Sequence, residues 1–178
     1  MPADPAYLPD AKKKWAENKA NLTKNDPAAA CLPNGVVRIT KLPYKIVQTP
    51  KLIVLLSEGN THSYRRFFLD GRPHNLDLDP ESWTGDSIAH WDGDTLVVDT
   101  IGFNDKSWLD DTGKPHSEAL HVIERYDRPD FNHLQVRYTV EDKKAMSKPL
   151  IFTRVFNLAP NRDLKEYFCA YKGLVSLK

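Results

Sequence analysis

Long apolar runs are missing from this chain. The longest is Leu52 to Leu56, far short of the roughly 18 residues of a membrane-crossing helix. An excess of one charge is missing too. The 25 Lys and Arg stand against 24 Asp and Glu, for a net charge of +1, which leaves no footprint for nucleic acid or an anionic membrane surface. No Gly-rich phosphate loop follows a strand, so no dinucleotide site is supported and no cofactor is expected. No G-x-S-x-G is present, so that nucleophile motif is excluded. Cysteine is scarce: only Cys31 and Cys169. They read either as two buried thiols or as one disulfide tying the N-terminal segment to the last strand. The opening stretch MPADPAYLPDAKKKW is polar and Pro-rich rather than an apolar leader.

What is there suits one soluble domain over residues 1–178, long enough to bury a core. Residues 1–30 carry the only clear helix signal. PDAKKKWAENKANLTKND starts on Pro9-Asp10 and stops before Asp26-Pro27, with Trp15 as its one aromatic anchor and Lys12 to Lys14 as a solvated face. From residue 36 to 171 the pattern turns to strands, expected at 36–40, 44–49, 51–57, 62–69, 86–91, 95–101, 119–126, 133–140, 150–157 and 164–171. Short polar links such as SEGN, DGD and DRPDFN are hairpin connections. The long connections are 70–85 and 102–118. The fold class is therefore all-β: an antiparallel meander closing into a lipocalin-like (calycin-like) barrel of about eight to ten strands, with a short N-terminal helix. A two-sheet β-sandwich is the alternative.

Alternation selects the inward groups. In LHVIERYDR, Val122, Glu124 and Tyr126 share a face, and HLQVRYTV places Leu134, Val136, Tyr138 and Val140 together. Carried back at period 2, the inward line takes in Glu118 and His116. An inward carboxylate must be paired or wetted, so Glu124 reads either as half of a buried ion pair with an Arg or as the wall of a polar cavity. Arg65 alternates with Phe67, Arg66 with Tyr64 and Phe68, and Arg154 with Phe152 and Phe156. The hairpin HWDGDTLVV turns at Asp92-Gly93. A two-residue turn there puts His90 and Asp99 on one face, and a three-residue loop separates them.

FFLDGRPH (67–74), W-x-G-x-S-I (83–88), W-x-G-D-T-L-V-V-D-T (91–100), GFNDKSWLD (102–110), GKPHSEALH (113–121) and ERYDRPD (124–130) together resemble a large family of uncharacterised bacterial proteins. The likeness extends from about residue 26 to 171. It implies one domain and an exported or periplasmic location. The family's usual leader and an upstream DLSGVW-like strand are not seen here, so a cytoplasmic location stays open. It implies no reaction.

The groups present suit acid–base chemistry on a small organic molecule held in a barrel, of lyase, isomerase or cyclase type. The expected catalytic set is His116, Glu118, Asp99 and Glu124. Arg65, Arg66, Tyr64, Trp83, Trp91, Trp108, His74 and Tyr138 are the expected substrate-binding groups, and the loop carrying His74 reads as a lid. A non-catalytic lipocalin-like carrier of an apolar ligand is the first alternative, marked by a mainly apolar cavity. A metal-dependent enzyme using His116 and Glu118 is the second, and a structural or partner-binding sandwich with no cavity is a third. The expected partner is a small molecule, and a homodimer is left open.

Overall fold

The computed structural model describes residues 4–58, 63–77, 82–166 and 169. Helix α1 spans Pro9–Ala20, followed by short turns α2 (Leu22–Asn25), a 3-10 turn (Pro27–Ala30) and α3 (Val36–Ile39). Eight strands follow: β1 Tyr44–Gln48, β2 Leu52–Ser57, β3 Tyr64–Phe68, β4 Asp86–Asp92, β5 Thr95–Ile101, β6 Leu120–Asp130, β7 His133–Asp142 and β8 Leu150–Asn157. They form one sheet in sequence order, curled into a lipocalin-like half-barrel. A single sheet replaces the sandwich alternative.

The meander has one exception. β3 and β4 run parallel, paired at Phe67 with Ser87 and Phe68 with Ile88. A parallel neighbour needs a return connection, which a tight hairpin cannot give. The long 69–85 segment supplies it. The remaining ladders are antiparallel. The β4–β5 turn falls on Gly93-Asp94, with Asp92 opposite Thr95. Gly93 takes φ +60°, the conformation that its place as first central residue requires. His90 and Asp99 consequently share a face, two positions apart across the ladder.

Inner-face residues Ile53, Leu55, Phe67, Val98, Val122, Val136, Tyr138, Val140 and Phe152 form one core. Val36 and Val37 join it. Residues 36–40, expected as a strand, instead make a helical turn whose Val36, Val37 and Ile39 are all buried, a pattern no alternating strand shows. Arg154 of β8 fastens this turn, donating to Val37 O at 2.7 Å and Thr40 Oγ1 at 2.8 Å. Helix α1 docks as its single aromatic predicts: Trp15 Nε1 donates to Thr112 O at 3.0 Å and Asn18 Nδ2 to Gly113 O at 2.8 Å.

Among the described residues β1 and β8 share no ladder. Tyr44 of β1 and Phe156 of β8 meet edge to face across the seam, with centroids 5.1 Å apart. The cysteines are bonded, Cys31 to Cys169, with Cα atoms 5.8 Å apart. Of the expected strand 164–171, residues 164–166 are irregular, and residues 167, 168, 170 and 171 lie outside the described residues.

Candidate functional site

The inward line forms only in part. Glu124 is fully buried and meets Arg65, itself buried, through two parallel contacts: Arg65 Nη1 to Oε1 at 3.0 Å and Nη2 to Oε2 at 2.5 Å. The Tyr126 hydroxyl donates to Oε1 at 3.0 Å, and Arg65 Nη2 also reaches Thr100 Oγ1 at 3.3 Å. Burial would lower the Arg65 pKa, but the adjacent carboxylate outweighs it and holds the guanidinium firmly charged. Burial pushes the Tyr126 phenol well up. This is a closed ion pair inside the sheet, with each charge compensated as a buried charge requires.

His116 and Glu118 do not join it, because β6 begins at Leu120 and the period-2 line cannot be carried back through the preceding turn. His116 is buried between Ser107 Oγ at 2.7 Å and Ser117 O at 3.0 Å. Its Nδ1–H donates to the carbonyl, so Nε2 accepts from the serine. Burial lowers its pKa, leaving a neutral structural imidazole. Glu118 is exposed and paired with Lys144. The metal alternative at His116 and Glu118 therefore fails on geometry. Among the described residues no group of three His, Cys, Asp or Glu is placed to hold an ion. Trp108 is core. Tyr138 stacks on Phe152 at 4.8 Å with its OH on Thr40 Oγ1 at 3.0 Å, so it too is interior packing.

Asp99 lies on the opposite, outer face. Its Oδ1 meets His121 Nε2 at 2.9 Å and His74 Nε2 at 3.3 Å. His74 Nδ1 meets Asp86 Oδ2 at 3.0 Å, and Asp86 also takes the Asn75 amide at 3.1 Å and the Arg72 guanidinium. His121 Nδ1 stands 3.5 Å from Glu141. A chain of alternating carboxylates and imidazoles thus crosses β4 to β7. Neither Asp86 nor His121 stands in the expected set. His121 alternates away from Val122 and Glu124, and the loop position of His74 carries no periodicity to place it.

Two cavities bracket the sheet. A polar cleft of about 320 Å³ lies beside β3 and β4, lined by Tyr64, Arg65, Arg66, Trp83 and Asp86 among others. Four of the expected binding residues meet there, and Asp86 joins the cleft to the outer chain. Arg66 also covers the Phe68 ring, 5.5 Å from its centroid. The second is an open groove of about 1070 Å³ at the mouth of the half-barrel, bounded by Tyr44, Ile46, Trp91, Tyr126, Phe131 and Phe156 among others. Trp91 thus separates from Trp83 and Trp108: the three tryptophans occupy groove, cleft and core.

Comparison with protein-family models, with curated proteins and with solved structures finds no match.

Proposed function

We propose that the protein binds a small, largely apolar molecule in the mouth of its half-barrel, as a lipocalin-like carrier. The groove carries this reading. Its walls are mainly aromatic and aliphatic, and several remain uncovered: Ile46 is 42% exposed, Trp91 49%, Phe131 73% and Leu158 47%. Large apolar side chains left in water around one concavity mark a binding surface. Of the ionisable groups expected inside the barrel, Glu124 is paired with Arg65 and His116 is held between Ser107 and Ser117. Titration with the neutral fluorophore N-phenyl-1-naphthylamine tests the reading. Saturable binding that Trp91→Ala and Phe156→Ala both weaken is expected. Binding that neither substitution alters would sink it.

A second reading, an enzyme doing acid–base chemistry on a small molecule in the polar cleft, draws on the Asp86–His74–Asp99–His121 chain. Such a chain positions imidazoles for proton transfer, and Arg66 and Trp83 would hold the substrate. Once a turnover assay exists, Asp99→Asn should lower kcat by at least about a hundredfold; an unchanged kcat removes the chain from catalysis. The disulfide supports placing the protein in an oxidising compartment, in line with export. Fractionation of the producing cell that left it wholly in the cytosol would overturn that placement.

A further inference from the structure

Residues 158–166 leave β8 and run along the open side of the half-barrel. Leu158 through Leu164 all line the groove, so this segment is one of its walls. It is fastened at separate points on different elements. The Leu158 amide donates to Asn132 O at 2.7 Å, beside the β6–β7 turn. Asp163 pairs with Lys45 of β1 at 2.5 Å. Just past β2, Glu58 accepts from the Lys165 amide at 3.0 Å and from Arg162 at 3.4 Å. Beyond these, Cys169 is bonded to Cys31. The segment therefore joins β8 to β1 across the seam that no ladder among the described residues closes.

We propose that residues 158–166 form a strap governing access to the groove, and that the Cys31–Cys169 disulfide is its lock. Its bearing on ligand exchange rests on the groove being the binding site; the fastening itself does not. The two ion pairs among these fastenings are weak by their setting. Asp163 is 80% and Arg162 53% exposed, and ion pairs in water contribute little. The covalent link is what keeps the strap from lifting. A dithiol opens it by exchange. The reagent's two S–H bonds break and its sulfurs join. The Cys31–Cys169 bond breaks, and the two electrons and two protons end on the cysteine sulfurs.

The test compares the oxidised chain, the same chain reduced with dithiothreitol, and the C31S/C169S variant. Hydrogen exchange of the Lys165 amide reports the strap directly, and stopped-flow release of N-phenyl-1-naphthylamine reports access. Unlocking should speed both by about tenfold or more, reversibly on re-oxidation, while the far-ultraviolet circular dichroism of the sheet stays unchanged. Unchanged exchange at Lys165 overturns the strap, whatever the fluorophore does. Loss of the sheet's circular dichroism in the unlocked chain overturns it too, since the bond would then be a staple of the whole fold. Faster exchange at Lys165 in a protein that never binds the fluorophore leaves the strap standing and removes the carrier reading.

Discussion

Glu124 was legible as an inward carboxylate; its partner was not. Alternation settles which face a side chain takes, but Arg65 lies on a distant strand, and only the curl of the sheet brings the two together. Breaking such a pair leaves a bare buried charge. Glu124→Gln should cost about 3–5 kcal/mol in urea unfolding, and the double variant Arg65→Met/Glu124→Leu should recover much of that loss. His116 offers a pH signature. Its folded pKa lies below the ordinary 6.5, so the native state resists a proton that the unfolded chain accepts. Stability is then full above about pH 6.5 and falls as pH drops through that value toward the folded pKa, by up to about 1.4 kcal/mol per pH unit. His116→Gln should be less stable at neutral pH but lose less between about pH 7 and pH 5, as thermal melts would show. A parallel loss in both proteins would place the dependence elsewhere. Asp110, with the same direction of pH dependence, acts in a more acidic window. Burial would raise its pKa, but Thr112 and Lys114 outweigh that and hold it low.

Among the elements, strands with clear alternation and a turn residue at each end emerge near their expected bounds. The segment at 36–40 misleads because Val, Val and Ile favour strands in isolation, while here they are caught on one buried helical turn. Its entry is tight. A methyl on Gly35 would lie 2.2 Å from Ser107 Oγ and 3.0 Å from its Cβ. Gly35→Ala must therefore push Ser107 away from His116, at an expected cost of about 1–3 kcal/mol. The same substitution made in Ser107→Ala should cost less, since the clashing oxygen is gone. Equal costs in the two backgrounds, measured by denaturant midpoints, would show that the strain lies elsewhere. The outer chain of Asp86, His74, Asp99 and His121 escapes any single-element reading: it is assembled from a loop and three strands, β4, β5 and β6.

For the molecule as a whole, the disulfide closes a span of 138 residues. Cross-linking so long a loop stabilises chiefly by restricting the unfolded chain, by about 2–4 kcal/mol. Reduced protein should unfold at correspondingly lower urea yet keep its sheet. A midpoint that does not move would mean that the bond adds strain equal to what it restrains. The spread of the expected site has the same origin. Its twelve residues lie in the core, the cleft, the groove, the outer face and, for Glu118, an exposed turn, because residues close in sequence alternate between faces and those on one face diverge as the sheet curls.

The sequence by itself determined the strand-rich class, the docking of one helix through Trp15, the positions of most strands and the inward turn of Glu124. These follow from local periodicity and turn chemistry, which act over a few residues. Tertiary structure alone decided that β3 and β4 run parallel, that Glu124 meets Arg65, that Asp99 gathers two histidines outside the sheet, and that Cys31 reaches Cys169. Each of these joins residues far apart in the chain, and no local pattern carries the curvature that brings them together.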